Sequence, residues 1–173
     1  TCGAWWHGEV DEHGVPASSC RDNVPNGHLE VSFDGGDYSI EFVPARRPRS
    51  HQMIVWAPLV VDGAQFPVYA NVFLGNERST VEMRVEDGEW TTMERVREPR
   101  EEHVEMLRAD REAMLEDVGR GDQAEQVSLP VESTHLWFAE AALDLDPGYH
   151  SVEVRTTDMF GQTYHGERTI RVQ

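Results

Sequence analysis

The chain has no lysine. All 15 basic residues are arginine, against 32 acidic ones, for a net charge of −17. A field of that sign repels a nucleic-acid backbone, which excludes nucleic-acid binding as a function class. Long apolar runs are also missing. The mean hydropathy is −0.56, and no stretch approaches the roughly 18 residues of a membrane helix. Cysteine is scarce: Cys2 and Cys20 are the only two, and they form no C-x-x-C pair, so zinc has no support. Oxidised, they would close a loop of about 19 residues and add roughly 3 kcal/mol in an oxidising compartment. The alternative is two free thiols. There is no P-loop, no dinucleotide fingerprint, and no G-x-S-x-G elbow around Ser18, Ser19 or Cys20, so acyl transfer lacks its usual signature. Thr1-Cys2-Gly3-Ala4 shows no initiator Met, basic n-region or apolar h-region. It reads as a mature chain or a piece of a longer one.

What is present fits one globular domain. The 173 residues are 39% apolar and 27% charged, and a chain of this length buries roughly two thirds of its unfolded surface. The acid is not a tail. Glu98 to Gln126 holds ten acids and four Arg, and the remainder holds 22 and 11. Charge spread in this way reads as a solubility trait, such as adaptation to high salt, in preference to a cation-binding surface.

Residues 1–28 are rich in Gly, Pro, Asn, Asp and His and read as an irregular linker or contact segment. A period of two then begins. Leu29, Val31 and Phe33 alternate with polar residues, Asp34-Gly35-Gly36-Asp37 turns the chain, and Tyr38, Ile40 and Phe42 return. This predicts a β-hairpin with one wet face, ended by Pro44 to Pro48 with Arg46, Arg47 and Arg49 nearby. Met53 to Trp56 reads as a strand buried on both faces and Val68 to Leu74 as another. Val81, Met83 and Val85, the Asp87-Gly88 turn and Trp90 to Val96 predict a second hairpin. After Pro99 the period changes. Val104, Leu107, Met114, Leu115 and Val118 mark one face of a helix over about 100–118, with a charged, solvated opposite face. Strands resume at His135–Ala139, Val152–Thr156 and Thr169–Val172, with turns at Pro147-Gly148 and Asp158–Gly161. Short strands punctuated in this way predict an antiparallel β-sandwich. It covers 29–173, with a helical insertion at 98–126.

Chemistry-bearing candidates are few. Asp11 and His13 have D-x-H spacing and are the weak metal candidates, but no G-D-x-x-D or G-H-x-H accompanies them to build a two-metal site. Gly75-Asn76-Glu77-Arg78 approaches a G-N-H-[E/D] turn without its His. Trp5 and Trp6, being adjacent, cannot both face one core. One packs while the other stacks on a ligand or a neighbouring domain, or both pack on separate surfaces. Arg21, Asp22, Asn26 and His28 lie in a run of turn-forming polar residues. It reads either as a structured loop or as a site rim, with Arg21 as an anion contact.

Four stretches, taken together, are similar to a known family. The first is Cys2-Gly3-Ala4-Trp5-Trp6-His7-Gly8 with Asp11 to Pro16. The second is Arg21-Asp22-Asn23-Val24-Pro25-Asn26-Gly27-His28. The third is Tyr69 to Phe73 with Val81 to Val85 and Trp90 to Arg95. The fourth is Ser133 to Trp137 with Pro147 to Arg155 and Thr157 to Gln162. In this order the chain resembles the C-terminal domain of bacterial calcineurin-like phosphoesterases. Asn23 stands where the family has Gly, His28 where it has Tyr, and Thr1 where a first Cys is frequent. The resemblance implies an upstream metallophosphatase domain in the same polypeptide, with two divalent metals held there and none in this chain. It implies an Ig-like sandwich of accessory role. Trp5, Trp6, Arg21, Asp22, Asn26 and His28 would face the catalytic domain or shape its substrate mouth. The family's exported context points to the periplasm or secretion. A module binding glycans or surface polymers through Trp5, Trp6, Trp90 and Trp137 is the other reading.

Overall fold

A computed structural model of the chain describes residues 4–7, 12–15, 24–25, 27–97, 101–117, 133–142 and 145–173. Its centre is a sandwich of two sheets. The strands of the first are β5 (Met53–Trp56), β7 (Gln65–Val72), β10 (Glu94–Val96) and β11 (Leu136–Ala142), in the order β10-β11-β7-β5. The second has the order β6-β13-β12-β8-β9, from β6 (Val60–Val61), β8 (Thr80–Val85), β9 (Thr91–Thr92), β12 (Gly148–Thr157) and β13 (Thr163–Val172). Pairing is antiparallel except for the short β6, which runs parallel to β13. Read in chain order, the sheets follow the two-sheet arrangement of an immunoglobulin domain, with the helix α1 (Glu101–Asp117) inserted between β10 and β11.

The period of two explains the core. Met53 and Val55, Val68, Ala70 and Val72, and Trp137, Ala139 and Ala141 point inward from the first sheet. Val81 and Met83, Val152 and Val154, and Ile170 meet them from the second. The alternate residues of the first sheet, Trp56, Tyr69 and Leu136, form a second apolar layer with Leu107 of α1. The first sheet is therefore covered on both faces, which is why Met53-Ile54-Val55-Trp56 is a continuous apolar run.

Three features differ from the sequence expectations. The strand expected over Trp90 to Val96 is split. Thr91 pairs opposite Met83 in one sheet, while Val96 pairs opposite Leu136 in the other. Met93 lies at the crossing, buried in the core with its N–H donated to the Val81 carbonyl at 2.8 Å. One side chain filling the gap between sheets lets the strand change partners. The helix docks through His103 and Leu107, one turn apart and both 2% exposed, while Val104 is only half buried. Its charged side is not all solvated. Arg168 of β13 clamps Asp110 with bonds of 2.9 and 3.1 Å, and Tyr69 donates to Glu102 at 3.0 Å. Third, the first 28 residues are not wholly irregular. Strands β1 (Ala4–His7) and β2 (Glu12–Val15) form an antiparallel pair, and β3 (Gly27–Asp34) has already begun. With β4 (Asp37–Pro44), β3 makes the expected hairpin around Gly35, whose φ of 60° suits a residue without Cβ. That hairpin is a two-stranded sheet of its own, outside both sheets of the sandwich.

Candidate functional site

The β3–β4 hairpin and its seat on the sandwich form the most site-like region among the described residues. Its register pairs Leu29 with Phe42, Val31 with Ile40 and Phe33 with Tyr38. The root is sealed. Phe42 and Phe73 meet edge-to-face at 5.4 Å and pack with Val24, Leu29 and Leu74. A Cβ on Gly27 would run into the Phe42 ring, so the strand can start there only with glycine. Gln52 holds the root by donating its amide to the Phe42 and Arg49 carbonyls, each at 2.6 Å. On the polar face, Glu30 and Glu41 stand directly opposite each other. Arg49 bridges them with two bonds of 2.8 Å to Glu30 and one of 2.9 Å to Glu41. Without it the two carboxylates would repel across the strands. The hydrogen bonds from Arg49 lower the Glu30 pKa below its ordinary value.

Where this hairpin meets the sandwich there is a small cleft of about 20 Å³, room for about one water, lined by Phe42, Gln52, Leu74, Asp158 and Tyr164. Burial pushes the Tyr164 phenol up to about 12, aided by the nearby Asp158 and Glu41 carboxylates. A phenol held protonated donates a hydrogen bond, here to Gln162 at 2.7 Å. It is a poor base. Among the described residues that line it, the cleft shows no nucleophile paired with a base. Beside it, Asp158 accepts the N–H of Phe160 and of Gln162 at 2.9 and 2.8 Å, fixing the β12–β13 turn. Phe160 then meets Tyr38 edge-on at 5.8 Å.

The sequence candidates fall in different places. His28 lies in β3, largely exposed, with Nε2 3.6 Å from Glu30. Trp5 and Trp6 lie in β1 and His13 in β2, with Trp6 opposite His13 and Trp5 opposite Gly14. Cys2, Asp11, Cys20, Arg21, Asp22 and Asn26 lie outside the described residues. Trp137 is 3% exposed, deep in the sandwich, which removes it as a ligand platform. Gly75 makes room for its ring. Trp90 is covered by the guanidinium groups of Arg155 at 4.2 Å and Arg84 at 4.7 Å. These arginines are held in turn by their cross-strand partners Glu82 and Glu153. Among the described residues no three His, Cys, Asp or Glu side chains gather to hold a metal. Several carboxylates are instead committed to arginine, as Glu30, Glu41, Glu82, Glu153 and Asp110 show.

Two parts of this region escape a reading of the sequence alone. Arg49 sits in a proline-flanked turn with nothing local to mark it. Its one signal is the opposed pair Glu30 and Glu41, whose repulsion asks for a cation. Tyr164 lies at the start of β13, where Thr163 to Gly166 shows no alternation of apolar residues.

Comparison with known proteins adds one match. The family model described as the C terminal of calcineurin-like phosphoesterase matches residues 1–164. No curated protein matches the chain.

Proposed function

The chain belongs to the family of C-terminal domains of calcineurin-like phosphoesterases, and we propose that it packs beside the catalytic domain of such an enzyme and borders its substrate mouth. Membership implies a catalytic domain upstream in the same polypeptide and makes this chain its accessory domain. The observation that carries the reading is the extent of the match, which covers nearly the whole chain. The reaction of the parent is hydrolysis of a phosphate ester. Two divalent metals in the upstream domain would supply the activated water. The residues described here offer no cluster to hold such metals, so no step of the hydrolysis is assigned to them.

In this reading the first 28 residues connect and contact the catalytic domain, with Trp5, Trp6, Arg21, Asp22, Asn26 and His28 as contact residues. The sandwich is the rigid block behind them. Placement in the periplasm or outside the cell goes with it, as does the possible pairing of Cys2 with Cys20. Glycan binding is less well supported, since Trp137 is buried and Trp90 is capped by two arginines.

The test is a hydrolysis assay with Mn²⁺ on two samples, the parent polypeptide and this chain alone. The parent is expected to turn over a p-nitrophenyl phosphate ester and this chain to show no turnover. Turnover by this chain at enzyme-level rates would overturn its accessory role.

A further inference from the structure

The helix α1 is attached lightly. Among the described residues, none of its side chains enters the inner layer between the sheets. Its apolar hold is Leu107, with Met106 beside it, on the outer face of the first sheet. Two polar ties add to this. Tyr69 of β7 donates to Glu102, and Arg168 of β13 clamps Asp110. Since β7 and β13 belong to different sheets, α1 is a strap from one sheet to the other. An element that contributes nothing to the inner layer can leave without opening it.

His103 lies between the two ties, one turn before Leu107. It is buried, stacked on Tyr69 and tilted against Trp56, and among the described residues neither ring nitrogen has a hydrogen-bond partner. A neutral imidazole fits that setting. A protonated one brings two N–H donors and finds no acceptor. The aromatic rings attract a cation, but an ion without an acceptor loses more by leaving water. Few charges face it. In this layer β5 brings Ile54 and Trp56, β10 brings Val96, and β11 brings Leu136 and Phe138, none of which ionises. From β7 comes the Tyr69 phenol, and from β13 Arg168, already paired with Asp110. The helix itself brings Glu102, whose charge favours the protonated ring less than burial disfavours it. We infer that α1 is an acid-released strap: His103 pins it to the first sheet as a neutral ring, and protonation of that ring frees the helix while the sandwich stays folded. Release uncovers the outer apolar face of the first sheet at Trp56, Tyr69 and Leu136.

The test is hydrogen–deuterium exchange, read peptide by peptide on the full polypeptide that carries this chain. Rates divided by the intrinsic rate at each pH give opening constants. Peptides of α1 are expected to open more readily than peptides of β12 at both pH 7.5 and pH 5. Released, His103 regains the ordinary pKa of 6.5, against about 4 when docked. The released state therefore takes up the proton first, and opening of α1 should rise about 30-fold between the two pH values. His103→Phe keeps the stacking and should remove that rise. Asp110→Ala is a check independent of the His103 variant. It should raise the opening of α1 several-fold at both pH values and leave the pH-dependent rise in place. Equal opening constants in α1 and β12 would overturn the release, because the helix would then leave only with the whole sandwich. A rise that survives in His103→Phe, or one that vanishes in Asp110→Ala, would assign the proton to another group and overturn the role of His103.

Discussion

The sandwich and the β3–β4 hairpin are built from the same period of two, but they spend it differently. In β12, Val152 and Val154 are fully buried because β7 and β11 stand opposite with Val68 and Ala139. In β3, Val31 and Phe33 have the same spacing but are 48% and 79% exposed, and among the described residues their hairpin pairs with no third strand. Alternation tells which residues share a face. Whether that face is covered depends on what the fold places across from it. An apolar face covered within the chain stabilises the fold, and one left open is available to a partner.

The largest expected effect lies on the covered side. Trp137→Ala should cost about 3–5 kcal/mol, since it empties the space between the sheets. A urea midpoint close to that of the unaltered chain would mean that the inner layer is not what holds the sandwich together.

The second effect lies in the layer between the first sheet and α1. His103 is buried, stacks on Tyr69 at 4.4 Å and leans on Trp56 at 4.9 Å, and among the described residues neither ring nitrogen has a hydrogen-bond partner. Burial lowers its pKa from 6.5 to about 4, with the nearby Glu102 acting weakly the other way. With the folded pKa below the unfolded one, the unfolded chain takes up the proton first. The neutral ring therefore carries no penalty above about pH 6.5, and stability falls as pH drops from there toward about 4. The steepest slope is about 1.4 kcal/mol per pH unit. His103→Phe keeps the stacking and should flatten the dependence between pH 6.5 and 5, above the range in which most carboxylates titrate. Identical pH profiles for the two proteins would show that His103 is not the responsible group.

On the open side the effects shrink. Phe33→Ala should change the stability of this chain by no more than about 0.5 kcal/mol, as for an ordinary surface substitution. A loss near that of Trp137→Ala would mean the stripe is covered within the chain after all, and the contrast would fail. Arg49→Ala should leave the unfolding midpoint almost where it was. It should also speed amide exchange in residues 27–44 relative to β7 and β12, because only the hairpin loses its brace. Unchanged exchange there would show that Gln52 and the root packing hold the hairpin unaided.

Much of the fold was legible because its rules are local. The Gly35-Gly36 turn, the apolar run of β5 and the Asp158–Gly161 turn each follow from residues within a few positions of one another. The split of β9 from β10 was not legible, since Met93 changes sheets to fill a gap made by Val81 and other distant residues. Nor was the docking face of α1. A histidine in a helix reads as polar, and only the stack of Tyr69 and Trp56 gives it an apolar setting. In the candidate site, His28 and Phe160 lie in stretches that the sequence marks. Arg49 and Tyr164 take their roles from partners on other strands.

The sequence by itself determined the class of the fold, the places where the chain turns, the faces of its strands, and the family to which it belongs. Each is set by local sterics, by the side-chain period, or by residue order. Only the tertiary structure decided which apolar faces are closed and which stay open, and which carboxylates an arginine neutralises. It alone buried His103 as a neutral ring. Those outcomes depend on contacts between residues far apart in the chain, whose partners are set by how sheets, helix and hairpin pack.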